Sequence, residues 1–234
     1  MKETVHAIIV AAGKGIRMSD TVRKQYIALD RIPMLSRTLG IFDRCDRIDR
    51  IIMAVPKDDI DYCRNEIIPA ANMKKEAILV RGGARRQDSV YNSLKAIETD
   101  DGIVLIHDGV RPFVEPEDLV VCIDGAKKHG ACILGIPAFD TVKHVNAKNE
   151  IIETQKRDTL WLAQTPQAFQ LKLIKKAHEI AKQEGFKGTD DASLVERLGE
   201  VVKIMPGSRN NIKITSQEDL KLARALLQIN ASDL

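Results

Sequence analysis

The short glycine-containing run Ala11-Ala12-Gly13-Lys14-Gly15-Ile16-Arg17-Met18 carries the cation Arg17 and is followed by another at Lys24. Gly13 and Gly15 allow tight backbone curvature, and their N–H groups can face a ligand with no Cβ in the way. Arg17 and Lys24 carry charge suited to phosphate. The third glycine of a dinucleotide fingerprint is missing, and so is the Gly-Lys-Ser/Thr of a P-loop. The stretch therefore reads either as an anion-binding loop or as a solvated basic turn. If both cations fold over the glycines, they clamp a polyphosphate and meet the charge that develops on a transferring phosphoryl group.

Three further stretches carry polar chemistry. Arg81 precedes Gly82-Gly83, and Arg85, Arg86, Gln87, Asp88 and Ser89 follow. A glycine pair admits a flat ligand such as a base, whose edge the backbone can read. Ser89 stands near a helix start, where a hydroxyl either meets a ribose oxygen or caps the helix. Asp108 follows the apolar run Ile103–Ile106, so it is expected at the carboxyl end of a strand, suited to a divalent cation or a sugar hydroxyl. Arg111 then partners Asp108 or binds a substrate phosphate. His107 reads as a packed loop histidine rather than a metal ligand, and His6, His129, His144 and His178 stand equally isolated. Lys213 lies in Asn211-Ile212-Lys213-Ile214-Thr215, a strand-like context that would hold its ammonium better than a loop, the alternative being a surface lysine.

The elements that must position these groups follow from periodicity. Strand-like runs recur at Val5–Val10, Ile51–Val55, Ala77–Val80, Gly102–Ile106 and Ala131–Ile136, and helical patterns lie between them at Met34–Phe42, Asp59–Ile67, Arg85–Glu98 and Pro116–His129. Nearly continuous apolar strands joined by crossovers of helical length predict an α/β fold, a mostly parallel twisted sheet flanked by helices. Such sheets bind ligands beyond the carboxyl ends of their strands, which is where the three loops fall. After Pro137 the pattern changes. Thr141–Val145 and Ile151–Thr154 flank the turn-like Asn146–Glu150, predicting a protruding β-hairpin with contact to a partner as its use in preference to a lid. Helices are expected again at Ala168–Glu184 and Asp190–Leu198, strands at Val201–Met205 and Asn211–Ile214, and a last helix from Ser216, where Ser216 and Asp219 form a near capping box.

The chain of 234 residues is long enough to bury a sizeable core. Its net charge of +3, with no long block of Lys or Arg, does not argue for nucleic acid. Cys45, Cys63, Cys122 and Cys132 lack C-x-x-C spacing and read as reduced core cysteines. With no secretory leader pattern and no apolar run long enough to cross a bilayer, a cytoplasmic protein without a membrane partner is expected.

Together, Ala11-Ala12-Gly13-x-Gly15-x-Arg17-Met18, Lys24-Gln25-Tyr26, Gly82-Gly83-x-x-Arg86-x-x-Ser89-Val90, His107-Asp108-x-x-Arg111-Pro112, Thr189-Asp190-x-Ala192-Ser193 and Asn211-Ile212-Lys213-Ile214-Thr215 make the chain resemble the 2-C-methyl-D-erythritol 4-phosphate cytidylyltransferases, from about Val5 to about Leu227. The resemblance implies one Rossmann-like nucleotidyltransferase domain over residues 1–234, with 138–159 as an inserted arm that makes a homodimer. It implies CTP and a polyol phosphate as substrates and Mg²⁺ as cofactor. Arg17, Lys24 and Lys213 would be catalytic. Ala11, Ala12, Gly13, Gly15, Gly82, Gly83, Ala84, Ser89 and Asp108 would bind the nucleotide, Asp108 also the metal. Asp108, Arg111, Thr141, Thr189 and Lys213 would border the second substrate, with Arg157 and Thr165 reaching in from the partner across the hairpin.

The implied reaction needs no covalent intermediate. An ionised phosphate attacks the α-phosphorus of CTP unaided, so the protein has only to align two anions and neutralise growing charge. A related acceptor, ribitol 5-phosphate, is the nearest alternative. A sugar-1-phosphate nucleotidyltransferase and a catalytically inactive nucleotide-binding protein stand further off, the latter disfavoured by the joint presence of Arg17, Lys24, Asp108 and Lys213.

Overall fold

A computed structural model describes residues 3–13 and 22–232. Gly15, Arg17 and Met18 lie outside the described residues. The central sheet has seven strands, built from β1 (Val5–Val10), β4 (Arg50–Val55), β5 (Ala77–Arg81), β6 (Ile103–Asp108), β7 (Ala131–Pro137), β10 (Trp161–Gln170) and β11 (Lys203–Pro206). Their spatial order is β11-β7-β10-β6-β1-β4-β5. Strand β1 is central and parallel to both neighbours, pairing Val10 with Ala54 and with Asp108. Strand β10 alone runs antiparallel, between β6 and β7. Two hairpins stand outside this sheet: β2 (Ala28–Leu29) with β3 (Ile32–Pro33), and β8 (Lys143–Val145) with β9 (Ile151–Thr154).

Side-chain alternation along β1 divides the core in two. Ala7 and Ile9 face a layer that includes Leu35 and Phe42 of α1 (Met34–Arg44), where two short helices, α2 (Ile60–Tyr62) and α3 (Ile68–Ala70), also pack. Ile8 faces the other layer, with Val90 and Leu94 of α4 (Arg86–Lys95). Helix α5 (Pro116–His129) covers the first face; α6 (Leu171–Gln183) and α7 (Ala192–Arg197) cover the second. The final helix, α8 (Gln217–Ser232), starts at the expected capping box: Ser216 N–H donates to Asp219 Oδ2 at 2.9 Å, and Asp219 N–H donates to Ser216 Oγ at 3.2 Å.

Four expectations change. The helix at Asp59–Ile67 is interrupted by a π turn over Cys63–Ile67. The segment expected as helix from Ala168 begins as the end of β10, because Gln167–Gln170 is stitched to Ile106–Ile103 and only Leu171 starts the helix. Strand β6 runs two residues beyond Ile106, so His107 and Asp108 belong to the strand rather than to a loop. Asn211–Ile214 joins no sheet; isolated bonds hold it, such as Ile214 N–H to Val110 O at 3.0 Å. All four cysteines are buried and free, as expected. Among the described residues no helix is long and apolar enough to cross a membrane.

Candidate active site

The three chemistry-bearing loops meet at the carboxyl ends of β1, β5 and β6. A cavity of about 730 Å³ opens there, lined by Ala11, Ala12, Gly13, Lys24, Gly82, Gly83, Ala84, Ser89, Asp108 and Lys213 among others. Parallel pairing of β1 with β6 and β4, and of β4 with β5, forces this convergence, since it brings the carboxyl ends of β1, β5 and β6 to one edge. The glycine turn fits tightly against the first loop. A Cβ on Gly82 would lie 2.1 Å from Ala12 Cβ, and one on Gly83 would lie 2.3 Å from Asp88 Cβ. Only glycine allows this approach.

Ser89 supports that turn. Its Oγ accepts from Gly83 N–H at 3.0 Å and donates to Arg85 O at 3.0 Å, which commits the buried hydroxyl to shaping the turn. It is not the helix cap weighed from the sequence. Arg85 is the N-cap, and Asp88 accepts from its backbone N–H at 3.1 Å.

Asp108 is the charge centre of the cavity. Its Oδ1 accepts from Arg86 Nε at 2.8 Å and its Oδ2 lies 2.7 Å from Lys213 Nζ, with Arg111 Nε at 3.9 Å. Burial opposes the carboxylate, but Arg86 and Lys213 outweigh it and hold the group well below the usual carboxylate range. Arg86 carries the network inward: its Nη1 lies 2.6 Å from Asp191 Oδ2, and Asp191 Oδ1 lies 3.1 Å from His178 Nε2. Burial works against the Asp191 carboxylate too, and Arg86 with His178 lowers its pKa nonetheless. His178, read from sequence as isolated, is thus the end of a buried chain of partners.

His107 is wholly buried, which pushes its pKa down to about 4, so the ring is neutral near pH 7. Nε2 faces Arg111 O at 3.0 Å and must carry the proton. Nδ1 then accepts from Thr165 Oγ1 at 3.1 Å, and Thr165 Oγ1 accepts from Asp108 N–H at 3.1 Å. The histidine is a packing and orienting group, as its lack of ligand spacing indicated.

This geometry corrects the expectation for Thr165, whose side chain sits beside Asp108 of its own chain, deep in β10, and not on an arm reaching a partner. Arg111 is also turned inward, its Nη1 donating to Asn211 O at 2.6 Å. Asn211 Nδ2 donates to Thr165 O at 2.8 Å, and these bonds fix the segment that carries Lys213. Thr141 and Thr189 are exposed. Arg157 lies at the foot of the β8–β9 hairpin, its Nη1 donating to Phe139 O at 2.9 Å. That hairpin and its base expose Phe139, Val145, Ile151, Ile152 and Leu162.

Sequence reasoning assigned no role to Arg86, Asp191, His178 or Gln25. Arg86 and Gln25 had a signal, since each is named in a quoted motif, whereas Asp191 falls on the unspecified position of Thr189-Asp190-x-Ala192-Ser193. Gln25 stands next to Lys24, and its side-chain amide binds back to Ala11 O and Gly13 O.

The geometry has counterparts. The family model for 2-C-methyl-D-erythritol 4-phosphate cytidylyltransferase matches residues 5–229. A protein of that description from Syntrophotalea carbinolica is 48% identical over 225 residues, 96% of each chain. One from Geobacter metallireducens is 46% identical over 227 residues, 96% of this chain and 97% of the relative. The crystal structure of a 4-diphosphocytidyl-2C-methyl-D-erythritol synthase from Anaerococcus prevotii superposes with a TM-score of 0.87 at 37% identity, covering 97% of each chain.

Proposed function

The chain belongs to the 2-C-methyl-D-erythritol 4-phosphate cytidylyltransferase family, and we propose that it works through Arg17, Lys24 and Lys213 around the Asp108 carboxylate. The enzyme transfers a cytidylyl group from CTP to 2-C-methyl-D-erythritol 4-phosphate, giving 4-diphosphocytidyl-2-C-methyl-D-erythritol and pyrophosphate on the route to isoprenoid precursors. The observation that carries the site assignment is the meeting of Lys24, Lys213, Asp108 and the Gly82-Gly83 turn in one cavity.

The acceptor phosphate is ionised near neutral pH. One of its oxygens attacks the α-phosphorus of CTP; the α–β bridging oxygen leaves with pyrophosphate, and no general base is required. Charge builds on the equatorial oxygens and on the leaving group. Lys24 and Lys213, together with Arg17, neutralise it. Cytosine stacks between the Ala11-Ala12-Gly13 backbone and the 82–84 turn. Backbone groups there read its 4-amino group, and a carbonyl facing that position repels the 4-oxo group of UTP.

Asp108 fits a Mg²⁺ shared with phosphates. Among the described residues no group of three His, Cys, Asp or Glu gathers, so one protein carboxylate with substrate oxygens is the donor set available. Bound there, Mg²⁺ would draw charge from the triphosphate and help pyrophosphate leave. The acceptor lies toward Asp108, Arg111, Thr141, Thr189 and Lys213.

Residues 1–234 act as one domain, with 138–159 as a dimerisation arm whose exposed apolar side chains meet a second copy. Arg157 then serves the neighbour's acceptor phosphate with its planar fork. The enzyme works in the cytoplasm. A substrate panel tests the reading: CTP with methylerythritol phosphate, ribitol 5-phosphate or a sugar 1-phosphate, scored by pyrophosphate release. Turnover confined to the methylerythritol phosphate supports it; preference for another acceptor would overturn it.

A further inference from the structure

Gln25 is 1% exposed, yet it lines the catalytic cavity from within a single turn of 3-10 helix, Lys24–Tyr26. Its Nε2 donates to Ala11 O at 2.8 Å and to Gly13 O at 3.2 Å, so both amide hydrogens are spent on the loop that leaves β1. The amide orientation is unambiguous, because the flipped form would set Oε1 against two carbonyl oxygens.

The other faces of the same turn are anchored independently. Tyr26 Oη donates to Asp59 Oδ2 at 2.9 Å, Arg23 Nε lies 2.7 Å from the same oxygen, and Tyr26 N–H donates to Arg23 O at 2.9 Å. The Ala11 end is fixed through Ala11 N–H to Ala54 O at 2.8 Å, while Ala12 packs where a side chain on Gly82 would stand. Gln25, next in sequence to Lys24, therefore ties the base wall to the turn that carries the Lys24 ammonium.

We infer that Gln25 is a positioning residue that sets the distance between the Ala11–Gly13 base wall and Lys24, and so couples base selection to the rate of cytidylyl transfer. This rests on the reading of Lys24 as a transition-state cation and of 11–13 as the base wall. A cytosine held against 11–13 places its α-phosphate at a fixed reach from Lys24 only if the loop ends keep a fixed span. Chain connectivity alone does not set that span, because Gly13 and Lys24 are far from adjacent in sequence. The clip of two hydrogen bonds provides it, and an ammonium displaced by about 1 Å loses much of its value in the transition state.

The test compares Gln25→Glu, isosteric but with carboxylate oxygens facing the two carbonyls, and Gln25→Met, similar in length but with no donor. Lys24→Ala is the control. Each is assayed with CTP and with UTP, kcat and KM being normalised to the fraction folded by circular dichroism. Both Gln25 variants are expected to lose kcat by about 10- to 100-fold and to narrow the CTP/UTP ratio of kcat/KM. The KM for the acceptor phosphate stays within about threefold, since the clip touches only the nucleotide side. If Gln25→Glu folds poorly, Gln25→Met carries the measurement. Wild-type kcat and an unchanged CTP/UTP ratio in the folded Gln25 variants, with Lys24→Ala inactive, would overturn the inference and leave the site reading standing. Full activity of Lys24→Ala would overturn both. A purely structural role lowers the folded fraction without moving either kinetic ratio, and that outcome also overturns the inference.

Discussion

Replacing Arg86 by methionine keeps most of the buried stem and removes the cation shared by two buried carboxylates. The Asp108 and Asp191 side chains are 7% and 1% exposed, so water cannot take over the role of the guanidinium. Removing one partner of a buried pair costs about 3–5 kcal/mol. Lys213 still faces Asp108 and His178 still faces Asp191, which puts the expected loss at the low end, about 3 kcal/mol. For a chain of this size that is a fall in Tm of roughly 6–12 °C. The pH dependence follows from the sign of the shifts. In the wild type both carboxylates are held below their unfolded values, so their stabilisation is complete above the unfolded pKa and is lost only as pH falls toward the folded one. It is therefore constant between about pH 7.5 and pH 5. In the variant burial acts with less opposition, the folded values rise, and acidification over the same range relieves the penalty by protonation. Urea unfolding followed by circular dichroism at both pH values should give a gap that narrows at the lower one. A gap under about 1 kcal/mol at pH 7.5, or one that widens on acidification, would refute this account of the network.

Lys213→Ala should lower kcat about 100-fold, roughly 3 kcal/mol of lost transition-state contact, in a steady-state pyrophosphate-release assay. Gly82→Ala forces a Cβ to within 2.1 Å of Ala12 Cβ, so the turn must shift; calorimetric titration should find CTP binding weakened by about tenfold. Exhaustive chelation should abolish turnover and added Mg²⁺ should restore it, whereas undiminished activity after chelation rules out a metal. Mixing inactive Arg157→Ala and Lys24→Ala protomers should restore about a quarter of the sites if Arg157 acts across a dimer; no recovery after subunit exchange confirmed by mass places it in its own chain.

The strands β1, β4, β6 and β7 were legible because a buried strand is apolar nearly throughout, the half-buried edge strand β5 because it is apolar up to Arg81, and Pro116–His129 was legible to the residue because proline and glycine bracket it. Strand β10 was not. Its polar residues Gln164, Thr165 and Gln167 break the apolar run, yet all are buried because they bond to other parts of the protein: Thr165 to the end of β6, Gln164 to Ser208 O and Gln167 to Asp191 N–H. The same logic hid the frame of Lys213. Asn211–Ile214 has strand-like residue types, but what holds it is Arg111 and Val110 from another part of the chain, contacts that no local pattern encodes. Asp108 and the glycine pair were legible as chemistry because they stand at strand ends, and Lys24 because it is a cation trailing the glycine run that follows β1. Asp191 and His178 were not, since Asp191 pairs with Arg86 from far away in sequence and His178 joins the network only through Asp191.

The pairing at Asp108 also explains how so cationic a site remains compact. Arg86, Lys213 and Arg111 approach one another closely, and three like charges in a partly buried space would repel strongly at the low effective dielectric there. Asp108 and Asp191 balance most of that charge within the fold, so the cations are held in place by the protein rather than by the substrate. A phosphate that reaches Lys213 then competes with Asp108 for one ammonium and does not have to organise it. If Asp108 holds Mg²⁺ as proposed, the ion would neutralise the carboxylate and leave the Lys213 ammonium to the phosphate.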